Sequence, residues 1–140
     1  MASNPIPPGT YKPAVRHGDF IYTAGMTPRK DGKLIKAGKI TAETDLEEFR
    51  EAICQAAANV LTAAQNVLQE GEHIEQVMLL SVYVNAEQGF TSHAKVGDIV
   101  SEYLYEHLGD AGIGPRAALG MGTLPGNAPV EVQMVAVVGK

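Results

Sequence analysis

The chain has no tryptophan, one cysteine and few basic residues: 11 Lys and Arg stand against 16 Asp and Glu, for a net charge of −5 over 140 residues. Each scarcity excludes something. A lone Cys54 cannot close an internal disulfide, which agrees with a reducing compartment. The basic residues form no run longer than Arg29-Lys30, so the footprint of a phosphate-backbone binder is missing and nucleic acid is not expected as a partner. No apolar run approaches the roughly 20 residues of a membrane-spanning helix, so no membrane partner is expected either. The opening MASNPIPPG lacks the basic start and apolar stretch of a secretory signal. Four histidines, His17, His73, His93 and His107, show no metal-ligand spacing with one another or with Cys54, so neither a metal nor another cofactor is expected. His17 reads as a turn residue, His107 as helix surface or a partner of the helix dipole, and His93 stays open. Cys54 reads as a small packing residue. What remains is a 45% hydrophobic chain, sized for one cytoplasmic domain spanning residues 1–140.

Periodicity supplies the elements. Ala14 to Arg16 and Phe20 to Thr23 read as short strands around the turn His17-Gly18-Asp19, and Pro28 to Lys33 as a turn centred on Asp31-Gly32. Leu34 to Ile40 is a loop or a weak strand. Thr44-Asp-Leu-Glu47 has the form of a capping box opening a helix, with Thr44 accepting from the Glu47 amide. Leu46, Phe49, Ile53, Ala57, Val60, Leu61, Ala64 and Leu68 make one apolar stripe, and Gly71 suits a left-handed stop. Val77 to Val84 is short, apolar and β-branched, which predicts a central strand covered on both faces. Phe90 to Leu108 repeats at helical spacing up to Gly109. The order is strands, helix, strand, helix, two strands, so the expected fold class is α+β: one mostly antiparallel sheet with both helices on one face.

The last two strands carry the chemistry. Arg116 to Thr123 and Val130 to Val138 flank Leu124-Pro-Gly-Asn-Ala-Pro129, which predicts a hairpin. Alternation puts Arg116, Ala118, Gly120 and Gly122 on one face, and Glu131, Gln133, Val135 and Val137 on one face of the partner. If Thr123 faces Val130, Arg116 and Glu131 share a side of the sheet but stand about 20 Å apart at about 3.3 Å per residue. A site using both is then easier to build where a neighbouring subunit supplies one of them. The glycines at 120 and 122 have no helix behind them, so they form no phosphate loop; they would let a ligand or another backbone approach.

Taken together, Gly9-Thr-Tyr11, Tyr22-Thr-Ala-Gly25, the capped helix, Val82-Tyr-Val84 and the closing Pro115-Arg116, Leu124-Pro125 and Val130-Glu131 resemble the Rid (reactive intermediate deaminase), or YjgF, family. The resemblance covers about Gly9 to Val138. It implies a chorismate-mutase-like fold and a homotrimer in which three sheets form a barrel and sites lie between subunits. It also implies hydrolysis of enamines and imines carrying a carboxylate, giving a 2-keto acid and ammonia without cofactor. By that likeness Arg116 would clamp the substrate carboxylate and Glu131 would place water and move protons. Tyr11 would line the cleft.

The chain departs from the archetype at two wall positions. A serine and a cysteine of the archetypal deaminases are replaced by Ala24 and Ala118, which leaves a less polar substrate pocket. The second helix, with Phe90-Thr-Ser-His-Ala-Lys-Val96, lacks a match to the family's asparagine. The resemblance therefore also admits a 2-aminomuconate-type deaminase, or a non-catalytic metabolite-binding or chaperone-like trimer; ribonuclease is a further label used in the family.

Overall fold

The computed structural model describes residues 3–140. Strands β1 (Ala14–His17) and β2 (Phe20–Thr23) form the expected hairpin. β3 (Arg29–Lys30) and β4 (Lys33–Leu34) form a second, tiny one. Its turn residues Asp31 and Gly32 have φ of 54° and 80°, the left-handed pair that closes a two-residue hairpin. Helix α1 (Arg50–Gln65), β5 (His73–Asn85), α2 (His93–Leu108), β6 (Arg116–Met121) and β7 (Val130–Gly139) complete the chain. Among the described residues, no helix is long and apolar enough to cross a membrane.

The main sheet has the order β1-β2-β7-β5-β6, and all its pairs are antiparallel except β5 with β6. This corrects the closing hairpin. β6 and β7 are not neighbours, because β5 lies between them. Helix α2 is the crossover that a parallel pair requires, and it sets β6 beside β5 with Leu80 opposite Arg116. The turn-rich loop after β6 reverses the chain without pairing the strands it joins.

Both helices lie on one face. Buried side chains on β7 are Val130, Val132, Met134, Ala136 and Val138, all of one parity, and they meet Ile53, Val60, Val96, Val100 and Leu104 from the helices in one core. Burying each of the Val, Ile, Leu and Met side chains contributes about 1.5–3 kcal/mol. On β5 the buried positions Ile74, Val77 and Leu80 stand three apart, because register irregularities at Ile74/Gln76 and Val77/Leu79 re-aim the strand each time. The expectation that this strand is covered on both faces is not met within the chain: Met78 and Leu79 are 43% and 45% exposed on the side away from the helices.

Helix α1 starts differently from the capping-box expectation. Asp45, not Thr44, accepts from the Glu47 amide (3.0 Å), and Thr44 instead accepts from the amide of Thr41 (2.8 Å). Glu47 pairs with Arg50 rather than reaching back. A single 3-10 turn at Leu46–Glu48 precedes the regular helix, with Phe49 buried between the two. At the other end the regular helix stops at Gln65; Gly71 has φ 79° but lies beyond it, in the turn that leads to β5.

Candidate functional site

Arg116 opens β6, an edge strand. Because it stands opposite the buried Leu80, its side chain belongs to the helix side of the sheet. There α2 holds the guanidinium. Nη1 donates to Asp98 Oδ1 at 2.9 Å and to Ser101 Oγ at 3.1 Å, while Nη2 makes only a 3.4 Å contact with the carbonyl of Ala94. Gly97 leaves the room: a Cβ there would come within 2.9 Å of Cζ. The short contacts thus fall on Nη1, while Nη2 has only the long contact with Ala94 and could exchange it for a stronger, charge-assisted bond to a carboxylate. Ala118 follows on the same side, partly buried against the core. At Gly120 the close approach is made by a side chain, since a Cβ would lie 2.7 Å from His93 Nε2. The His93 ring also packs edge-on to Phe90, with centroids 5.0 Å apart.

Glu131 occupies the other surface of the sheet. It stands opposite Tyr83, with the parity opposite to that of the buried Val130 and Val132. Its carboxyl packs against Gly25, where a Cβ would displace it. Burial pushes the Glu131 carboxyl above its ordinary range. In front of it lies a cavity of about 480 Å³ whose wall includes Tyr11, Lys12, Ala24, Gly25, Met26, Arg29, Pro125 and Glu131, with Pro5 to Pro8 along one side.

The structure therefore sorts the expected residues into two groups. Tyr11, Ala24 and Glu131 share the cavity; Arg116 and Ala118 lie across the sheet from it. Arg116 and Glu131 are not on one side, as the hairpin register required. They are kept apart within one chain by the thickness of the sheet and the width of β5, not by distance along a hairpin. Nothing local could reveal this, because the face of each strand depends on which neighbour it pairs with.

Sequence reasoning also passed over Asp98, Ser101 and Gly97, although residues 98 and 101 sit three apart on one helix face, a spacing legible in advance. It passed over Arg29 and Lys12 in the cavity wall, and Asn59. The side chain of Asn59 donates to the carbonyls of Thr27 and Arg29 at 3.0 and 2.8 Å, fixing that wall. Cys54 is half-buried, and burial pushes its thiol up, away from the reactive range. His107 stacks on Tyr103 and shares a hydrogen bond with the carbonyl of that residue (2.9 Å). Among the described residues, no three His, Cys, Asp or Glu side chains come together as a metal-holding group.

The family description "Endoribonuclease L-PSP" matches residues 1–138. The chain belongs to that family. It is 28% identical over 127 residues to Protein TCP17 of Trypanosoma cruzi, covering 90% of this chain and 79% of that protein. It is 27% identical over 135 residues to a RutC family protein of Aquifex aeolicus, covering 95% and 92%. A crystal structure of a protein with unknown function from Agrobacterium tumefaciens superposes with a TM-score of 0.82 at 28% identity, covering 93% of this chain and 82% of that one. The YjgF gene product of E. coli, at 19% identity and TM-score 0.65 over 96% and 92% of the two chains, shares the fold. The family fold is thus two helices on one face of a mostly antiparallel sheet, with the opposite face left open in the single chain.

Proposed function

We propose that this protein is a hydrolytic deaminase of imines and enamines bearing a carboxylate, acting in the cytoplasm as a homotrimer with sites between subunits. The observation that carries the reading is the division of the site. The half-buried Glu131 carboxyl faces a cavity on one side of the sheet, and a guanidinium held through Nη1 by Asp98 and Ser101 lies on the other. A neighbouring copy that sets its β6 edge against the cavity would complete the pair, and the exposed Met78 and Leu79 give the open face a reason to be covered.

The chemistry balances with these groups alone. Arg116 holds the substrate carboxylate bidentately, which places the adjacent C=N carbon. Glu131, held toward its protonated form, gives its proton to the imine nitrogen. The resulting carboxylate then takes a proton from water as the water oxygen bonds to carbon. Glu131, now carrying the proton from water, passes it to the carbinolamine nitrogen; the C–N bond breaks, ammonia leaves, and the hydroxyl proton returns to Glu131 as the carbonyl of the 2-keto acid forms. One imine and one water yield one keto acid and one ammonia.

The name Endoribonuclease L-PSP speaks of RNA cleavage, but a net charge of −5 with no basic run beyond Arg29-Lys30 argues against a polyanionic substrate. A second reading, a metabolite-binding trimer without turnover, draws on Ala24 and Ala118 as unreactive walls. Ammonia and keto-acid release from imines generated in place by an amino-acid oxidase decides between them. Acceleration over the spontaneous rate, lost in Arg116→Ala and Glu131→Gln, is the expected result. No acceleration with any imine would leave only the binding reading.

A further inference from the structure

The cavity in front of Glu131 carries positive charge that the reaction above does not use. Five of the 11 basic residues, Arg29, Lys30, Lys33, Lys36 and Lys39, fall in one short segment of an otherwise acidic chain. Two of them are engaged: Lys36 covers the Phe49 ring at 4.7 Å, and Lys39 donates to Asn85 Oδ1 at 2.8 Å. Arg29 is different. It is half-buried in the cavity wall. Among the described residues it meets no carboxylate, and its Nη1 donates only to the carbonyl of Gly32, at 3.2 Å.

Its position is nevertheless fixed with care. Asn59, 7% exposed, spends both amide hydrogens on the carbonyls of Thr27 and Arg29 and accepts from Gln55 at 2.9 Å. The far end of Arg29 reaches the Leu-Pro-Gly turn, where a Cβ on Gly126 would lie 3.3 Å from Nη2. Pro125 of that turn lines the same cavity, and so does Lys12, a second cation. The same wall also carries apolar side chains, Ile6 and Met26 among them. A guanidinium held without a carboxylate, in the wall of a cavity whose single acid is the catalytic one, fits an anion supplied from outside.

We infer that Arg29, supported by Lys12, recognises a second carboxylate at the far end of the substrate, so that the preferred substrates are imines of acidic amino acids. The assignment rests on the deaminase reading for the reaction, but not for the binding. Arg116 takes the carboxylate beside the reacting carbon, and Arg29 takes the distal one.

The test uses two substrates and two ligands. Imines are generated in place from D-glutamate and D-glutamine by flavin oxidases, and kcat/KM is compared. Binding of 2-oxoglutarate and of 2-oxopentanoate, which lacks the distal carboxylate, is measured by calorimetry. The acidic member of each pair is expected to be favoured about tenfold or more, as a charge-assisted bidentate contact allows. Arg29→Gln should bring both ratios near one, Arg29→Lys should keep part of the preference, and Lys12→Gln should reduce it about two- to threefold. Unchanged melting curves confirm that each variant folds. Equal affinity for the two keto acids in the unaltered protein, or a preference that survives Arg29→Gln, overturns the assignment. A 2-oxoglutarate preference that depends on Arg29 in a protein with no turnover would uphold it while removing the deaminase reading.

Discussion

Gly97 on α2 lies directly against the guanidinium of Arg116 on β6: a Cβ at position 97 would come within 2.9 Å of both Cζ and Nε. The atoms it would strike are the free end of a long side chain, which can move at little cost, whereas alanine is the better helix former by about 1 kcal/mol. Gly97→Ala is therefore expected to leave the melting temperature unchanged or higher while displacing the fork that holds the substrate. Loss of kcat/KM by about 10- to 100-fold, from misplacement of a binding group, is the kinetic outcome, read on any imine the unaltered protein turns over. Full activity in this variant would mean that Arg116 does not work from the position α2 gives it.

The position of Glu131 couples pH to both activity and stability. Burial raises its folded-state pKa above 4.5. The stability it contributes is complete below the unfolded value and is lost as pH rises through the folded one, because a partly buried carboxylate must then be ionised. Glu131→Gln, neutral at every pH, should melt higher than the unaltered protein near about pH 7.5 and lose that advantage near about pH 4. Turnover should fall by about 100-fold or more. A variant that melts lower at both pH values contradicts the account.

Glu72 titrates in the opposite sense. Hydrogen bonds from Arg16 and from the Gln69 amide lower its pKa to about 2, and its side chain is only 6% exposed. This depressed value stabilises the native state above about pH 4.5 and is forfeited as pH falls toward about 2. The pair ties β1 to the turn after α1. Glu72→Gln should lower stability at neutral pH and flatten the acid limb of the stability curve, as followed by circular dichroism between about pH 5 and pH 2.

Asn59 holds two carbonyls that no other side chain reaches among the described residues. Asn59→Leu removes a donor from each, although the Thr27 carbonyl keeps the Arg29 amide at 2.8 Å, and should cost about 1–3 kcal/mol in urea unfolding, mostly as an unsatisfied-acceptor penalty. A loss below about 0.5 kcal/mol would show that water or a shift of the Thr27–Arg29 segment replaces the amide.

The division between sequence and fold follows the range of each interaction. Apolar spacing along α1 and α2, the Asp31-Gly32 turn and the alternation of Val130 to Val138 are written in near neighbours, so the main elements, the α+β class and the side-chain parity of β6 and β7 are legible there, whereas that of β5 is not, because its irregularities arise in pairing with β7. The family signature lies in the same short stretches, Pro115-Arg116, Leu124-Pro125 and Val130-Glu131. The local cap was read one residue off because Thr44 and Asp45 offer similar oxygens, and only the turn at Thr41 settles which amide each one takes.

Strand pairing had to wait for the tertiary structure. The turn-forming loop from Leu124 to Pro129 fits a hairpin on local grounds, yet β5 lies between β6 and β7 and pairs with both, parallel to the first and antiparallel to the second. That one non-local choice moves Arg116 to the helix side, leaves Glu131 on the open side and gathers Tyr11, Ala24 and Arg29 around it. The sequence by itself determined which residues this protein has for its chemistry and which way each faces along its own strand. Only the tertiary structure decided which side of the sheet each occupies, since facing acquires a side only when the strand acquires a partner.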